Sequence, residues 1–328
     1  MVNHNEETTD CNASHNVHPH SRARAGKSNR EDEKNENAGE ILPPYTAMVK
    51  INPATKNRRN LLLIRGAERM DRIFPSWLHN DFTDQGRYNP KDLNQPIKIF
   101  TRNGGPMDFY NDSPITELGQ LTAQMLGRGL RVRQMEPVAV YCSPALRCIQ
   151  TAVAMLRMLG NSKCNIRVEP NLFEWGQWYG KFPNLLTVQE LRDLGFPIDT
   201  KYKPQLDLND IENLGEESLN GVYNRLEKAV KQIAEDPRYP QGTILIVAHG
   251  LTLDAGARGL VGKGKGEITK ESLERLGIHY PYCCTITLQQ INPQEESKIE
   301  WDFLSDAIPP VTYLDYCNRV NARFLNRT

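Results

Sequence analysis

The chain has 328 residues, 39% hydrophobic and 24% charged, enough for one large α/β domain or two small ones with a sizeable core. Forty Lys and Arg balance forty Asp and Glu, so no global field draws it to nucleic acid or to an anionic membrane, and any anion site has to be local. The seven cysteines, at 11, 142, 148, 164, 283, 284 and 317, follow no C-x-x-C metal spacing and read as free thiols of a reducing compartment. No apolar run is long enough to span a bilayer and the start lacks the apolar core of a signal peptide, so the expectation is a cytoplasmic or nuclear protein without a membrane segment.

In chain order, residues 1–44 are rich in Asn, Glu, His, Arg and Ser and almost free of large apolar side chains, so they bury too little surface to offset ordering entropy and read as a disordered polar tail. Its histidines, His4, His15, His18 and His20, read as solvated rather than as a metal site, and no cofactor is expected. Sequons at Asn12 and Asn326 matter only in a secreted chain. Residues 45–328 form the folded domain. Leu61 to Ile64 reads as a buried strand. From Met70 to Asp112 aromatics, prolines and glycines mix without a period, the mark of a long binding insertion on the substrate side.

Helical periods follow at Glu117 to Leu130, Ala145 to Leu159, Leu186 to Leu194 and Leu219 to Ala234. Between them, Val138 to Cys142 and Thr243 to Ala248 read as further buried strands. The Lys263-Gly-Lys-Gly266 run lacks the spacing and the Ser or Thr of a nucleotide loop and reads as a flexible connection. Cys283 to Ile291 and Lys298 to Phe303 read as a hairpin around the polar turn Asn292-Pro-Gln-Glu-Glu296, with the Cys283/Cys284 pair as strand packing. Strands alternating with helices predict an α/β fold, a sheet covered by helices on both faces.

In an open α/β sheet ligands bind beyond the carboxyl ends of the strands. Three such ends carry anion-binding or proton-active groups: Arg65 and Arg69 after the first, Ser143-Pro-Ala-Leu-Arg147 after the second, His249-Gly250 after the third. Each has a plain structural reading. Arg65 suits an exposed strand end, Ser143-Pro144 a helix N-cap followed by proline at the first helical position, and His249 a satisfied core histidine. Together they converge on one rim, and clustered guanidinium forks are costly there without an anion to hold. A cysteine phosphatase built on Cys142 and Arg147 fits poorly: the loop is one residue short of C-x5-R, and Pro144 has no N–H to offer a phosphate.

The stretches Tyr141-Cys-Ser-Pro-Ala-Leu-Arg-Cys-Ile-Gln-Thr-Ala152, Arg167-Val-Glu-Pro-Asn-Leu-Phe-Glu-Trp175 and Ile244-Leu-Ile-Val-Ala-His-Gly-Leu-Thr-Leu-Asp254 resemble the histidine phosphatase superfamily, in its branch of Sts and ecdysteroid-phosphate phosphatases. Tyr88-Asn-Pro-Lys-Asp-Leu-Asn94 and Pro197-Ile-Asp-Thr-Lys-Tyr-Lys-Pro204 support the likeness, which runs from about Tyr45 to the C-terminus. The resemblance implies a phosphoglycerate-mutase-like fold with a mostly parallel central sheet, a homodimer, and a phosphorylated small molecule or phosphoprotein as ligand. It also implies roles. Arg65, Arg69, Arg147 and His249 fall at phosphate-binding positions, and Glu174 at that of the acid that protonates the leaving group.

One position departs from the pattern. Where the family has Arg-His-Gly-Glu-Arg with a nucleophilic histidine, this chain reads Arg65-Gly66-Ala67-Glu68-Arg69. Aligned either way, with Gly66 in place of the histidine or with Ala67 as an insertion, no imidazole is left. The expectation is a pseudophosphatase that retains phosphate binding, because glycine has nothing to attack with. The alternative is an active phosphomonoesterase in which His249 or an activated water attacks directly. Ala67, where the family has glycine, is expected to press on the pocket floor.

Overall fold

The computed structural model describes residues 58–160, 164–213, 216–264, 268–292, 299–313 and 316–317. The N-terminal tail with its histidines and Asn12, Gly266 of the Lys-Gly run, most of the 292–296 turn and Asn326 lie outside the described residues. No helix among the described residues is long and apolar enough to cross a membrane.

Six strands form one sheet: β1 (Arg59–Arg65), β2 (Pro137–Cys142), β3 (Ile166–Val168), β4 (Gly242–Ala248), β5 (Thr285–Gln290) and β6 (Trp301–Phe303), in the order β3-β2-β4-β1-β5-β6. The pairs β3/β2, β2/β4 and β4/β1 are parallel. β5 runs antiparallel to both β1 and β6; β5 and β6 follow each other in the chain too closely for the crossover that a parallel pair would need. The expected hairpin is therefore present, and the sheet is mixed with a parallel centre.

Around it lie α1 (Met70–Ile73), α2 (Trp77–Asn80), α3 (Glu117–Val132), α4 (Leu146–Arg157), α5 (Val188–Asp193), α6 (Leu208–Asn213), α7 (Leu219–Ala234), α8 (Gly250–Leu260), α9 (Lys270–Glu274) and α10 (Leu276–His279). The central strands carry unbroken apolar runs, Leu61 to Ile64 in β1 and Ile244 to Ala248 in β4, because both their faces are covered. Leu62 and Ile64 of β1 point into one core with α3 and α4, while Leu61 and Leu63 point into the other with α7 and α8. Each fully buried leucine or isoleucine contributes roughly 1.5–3 kcal/mol. α3 and α7 begin where Thr116 and Ser218 accept the N–H of Gly119 and Gly221, each at 3.0 Å, as N-cap residues do.

Two expectations are corrected. The N-cap of α4 is Ala145, not Ser143; the helix start is capped from outside, where Asp112 Oδ1 accepts the Leu146 N–H at 2.8 Å. Cys283 has φ of 57° and precedes β5, so the buried Cys283/Cys284 pair packs at a turn rather than in the strand. The Met70–Asp112 insertion also differs from expectation in part. Its first part folds back on the core through Trp77, which lies 5.8 Å from both the Phe82 and Phe109 rings. A buried Arg102–Asp112 ion pair of 3.1 Å ties down its end.

Register decides where the sequence motifs meet. Arg65 pairs with Ala248 and Cys142 with Val247, so β1, β4 and β2 end side by side. The Gly66 N–H then donates to the Ala248 carbonyl at 2.8 Å and the Ser143 N–H to the Val247 carbonyl at 3.0 Å.

Candidate functional site

A cleft of about 670 Å³ opens at these strand ends. All six residues singled out from the sequence, Arg65, Gly66, Arg69, Arg147, Glu174 and His249, line it. From the insertion only the two ends reach it, as Asp71, Arg72 and Asn111.

Arg147 sits in the first turn of α4 and is buried. Its Nη2 donates to a Glu174 carboxylate oxygen, to the Tyr179 hydroxyl at 3.1 Å and to His249 Nδ1 at 3.1 Å. Its Nη1 is buried and has no hydrogen-bond partner, a costly state for a charged donor. Burial works against the charge of Arg147, yet Tyr179 and Glu174 hold it firmly protonated.

His249 is 4% exposed. A guanidinium only donates, so Nδ1, which faces Arg147, must be the acceptor nitrogen; the ring proton then sits on Nε2 and is given to Ser143 Oγ at 2.7 Å. Burial, reinforced by Arg147, Arg69 and Arg65 and opposed by Glu174, lowers its pKa to about 3. The ring is neutral at physiological pH, and both its nitrogens are engaged.

Glu174 sits on the loop that leaves β3, and α7 fixes that loop. Arg225 of α7 donates to the carbonyls of Asn171 and Phe173 at 2.8 and 2.9 Å and forms a fork with Glu217 at 2.9 Å, while Trp175 Nε1 donates to the Glu217 carbonyl at 2.6 Å. Burial favours the neutral acid, but His249, Arg147, Arg69 and the Tyr179 hydroxyl, which donates to Glu174, hold the carboxyl well below the usual carboxylate range. In this arrangement Glu174 is an anion with no proton to give.

The β1 side is built differently. Arg69 forks onto Asp71, Nε to Oδ1 at 2.9 Å and Nη2 to Oδ2 at 2.6 Å. Arg65 donates to the main-chain carbonyls of Tyr280 and, at 3.5 Å, Gly277, with its guanidinium 4.3 Å from the centre of the Tyr282 ring. Gly66 is buried, and a Cβ built on it would meet Cys148 Sγ at 3.3 Å and Arg147 Cγ at 3.8 Å. A Cβ there needs Cys148 Sγ to give by only a few tenths of an ångström. Ala67 does not press on the cleft. It is buried in the core on the α3/α4 side, its N–H donating to Thr151 Oγ1 at 2.8 Å.

The thiols under the floor are inert: burial raises Cys148 to about 12 and Cys142 well above the ordinary thiol range, which opposes thiolate chemistry. Sequence reasoning missed Asp71, Tyr179 and Tyr282 and read Ser143 only as a cap. Asp71 stands two residues from Arg69 and Tyr179 five from Glu174, so local spacing offered a faint signal for the first two. Tyr282 reaches the cleft only through the fold.

Residues 101–289 match the family model for the histidine phosphatase superfamily (branch 1). The chain is 35% identical over 260 residues to the ecdysteroid-phosphate phosphatase of Drosophila melanogaster, covering 79% of this chain and 33% of the relative. It is 37% identical over 232 residues to human ubiquitin-associated and SH3 domain-containing protein A, covering 69% of this chain and 35% of that protein. It therefore spans about a third of the length of these curated relatives. Among solved structures it resembles the ecdysone phosphate phosphatase of Bombyx mori in complex with tungstate, with a TM-score of 0.66 at 29% identity, over 82% of this chain and all of that one.

Proposed function

The chain belongs to the histidine phosphatase superfamily, and from that premise we propose that it is a pseudophosphatase: it holds phosphate monoesters in the cleft but forms no phosphoenzyme. One contrast carries the reading. Arg147 lines the cleft and keeps a buried Nη1 without a partner, while Gly66 brings no side chain to that cleft. Guanidinium groups match phosphate oxygens in geometry and charge. Covalent catalysis, by contrast, needs a nucleophile, and His249 is the one histidine lining the cleft among the described residues.

His249 is poorly placed to substitute. One ring nitrogen accepts from Arg147, the other donates to Ser143, and attack on phosphorus would require breaking the first contact. Glu174, the family-position acid, is held as an anion and paired with Arg147. A phosphorylated small molecule or a phosphoprotein is the ligand class that follows. The relatives named as phosphatases of a phosphate ester, and a solved structure of one in complex with tungstate, support an oxyanion as the ligand class.

Two measurements test the reading. Orthovanadate or phosphate raises the melting temperature of the unmodified chain, as any ligand of the native state does, and Arg147→Ala removes that rise. The unmodified chain turns over an aryl phosphate at least about a thousandfold more slowly than Gly66→His, in line with the cost of losing a nucleophile elsewhere. Equal turnover by the two proteins, or a phosphohistidine trapped on the unmodified chain, favours the active phosphomonoesterase and overturns the proposal.

A further inference from the structure

We propose that Tyr280, through its hydroxyl contact with the buried Asp254, is a positioning residue that holds Arg65 at the mouth of the cleft. The inference deepens the phosphate-ester reading of the cleft and rests on it for its ligand-binding arm.

The chain of contacts starts at Arg65, the last residue of β1. Its guanidinium is not held by a carboxylate in the contacts that fix it; it donates to two main-chain carbonyls at the end of α10, those of Tyr280 and Gly277, and lies over the Tyr282 ring. Main-chain oxygens at a helix C-terminus carry partial negative charge, so they attract a cation. Unlike a carboxylate, they do not cancel its charge for a second anion. Arg69 is forked by Asp71 and Arg147 is paired with Glu174, whereas the contacts that fix Arg65 leave its charge uncancelled for a ligand.

A carbonyl can orient an arginine only if it is itself immobile. α10 has four residues, too short to be stable alone. What fixes its end is the Tyr280 side chain, wholly buried, whose hydroxyl donates to Asp254 Oδ1 at 2.6 Å. Asp254 belongs to α8 and also accepts the Tyr223 hydroxyl of α7 on Oδ2 at 2.8 Å and Arg258 Nε on Oδ1 at 3.0 Å. The α7/α8 layer is thereby linked to the cleft: Tyr280 carries the rigidity of the core from its hydroxyl at one end to its carbonyl at the other.

The same carboxylate supplies the control. Tyr280→Phe and Tyr223→Phe each delete one tyrosine hydroxyl from Asp254, on Oδ1 and Oδ2 respectively, and both tyrosines are buried. A merely structural role predicts similar effects from the two. Positioning predicts that Tyr280→Phe weakens orthovanadate binding about tenfold, the scale of one charge-assisted hydrogen bond, while Tyr223→Phe leaves it within about twofold. It further predicts that Tyr280→Phe combined with Arg65→Lys is no weaker than Arg65→Lys alone, because both act through one group.

Equal losses from the two tyrosine variants, or additive losses in the double variant, overturn the proposal. An arm free of ligand is the crystal structure of Tyr280→Phe, in which Arg65 leaves the Tyr280 carbonyl and the Tyr282 ring. Arg65 unmoved there sinks the proposal whatever vanadate does. If vanadate fails to bind the unmodified chain, the phosphate-ester reading falls, and this crystal structure alone decides the positioning role.

Discussion

The two walls of the cleft are held in different ways. On the α4/β4 side buried Arg147, His249 and Ser143 and half-buried Glu174 and Tyr179 form one network, each member in contact with another. On the β1 side the arginines hang from local partners, Arg69 from Asp71 and Arg65 from main-chain carbonyls, and Gly66 between them contributes only backbone. A network in which every member is satisfied except one donor is rigid and ready for an anion. On the proposed reading, a wall without a side chain at its centre offers no nucleophile. The difference then teaches that holding phosphate and attacking it are separable, because arginines from both walls can hold the anion while attack depends on the side chain at the one position that Gly66 leaves bare.

The comparison breaks most visibly at Gly66. Gly66→His restores an imidazole to the bare wall, and an aryl-phosphate assay should show the gain of about a thousandfold or more. No gain, despite intact vanadate binding, means the β1 wall lacks more than a nucleophile.

The opposite wall is probed next. Arg147→Ala leaves Glu174 buried without its guanidinium, a change that costs about 3–5 kcal/mol in comparable buried pairs. Chemical denaturation should report that loss alongside the lost response to vanadate.

Acid sharpens the contrast further. His249 has a folded pKa of about 3 against an ordinary 6.5, so its contribution is complete above pH 6.5 and is lost as the unfolded chain gains protons between pH 6.5 and 3. Glu174, depressed in the folded state, pushes in the same direction below about pH 4.5. Unfolding free energy measured across pH 7 to 4 should fall, and His249→Asn should flatten the upper part of that fall. A profile that is level between pH 6.5 and 5 in the unmodified chain contradicts a buried neutral His249.

The smallest effect is expected at Arg225, whose two carbonyl contacts steady the Glu174 loop from outside the cleft. Arg225→Met should cost about 1–3 kcal/mol and weaken vanadate binding only slightly. A loss as large as that of Arg147→Ala would place the loop, rather than the arginine network, at the centre of binding.

Sequence alone determined the parallel strands β1, β2 and β4 and the long helices α3 and α7, because unbroken apolar runs and a 3.6-residue period are written directly in the chain. It also placed Arg65, Arg69, Arg147 and His249 in the cleft, since strand ends carry the ligand in this architecture, while Gly66 and Glu174 came from the family resemblance. It did not reveal β3, three residues long, or α8, whose near-continuous burial leaves no polar face to read. Only the tertiary structure decided that Ser143 serves His249 instead of capping α4, that Ala67 turns into the core, and that Tyr280 and Tyr282 reach Arg65 from more than two hundred residues away. Periodicity reports which face of an element is buried, whereas a hydrogen bond between distant elements depends on register and layer packing that no local pattern encodes.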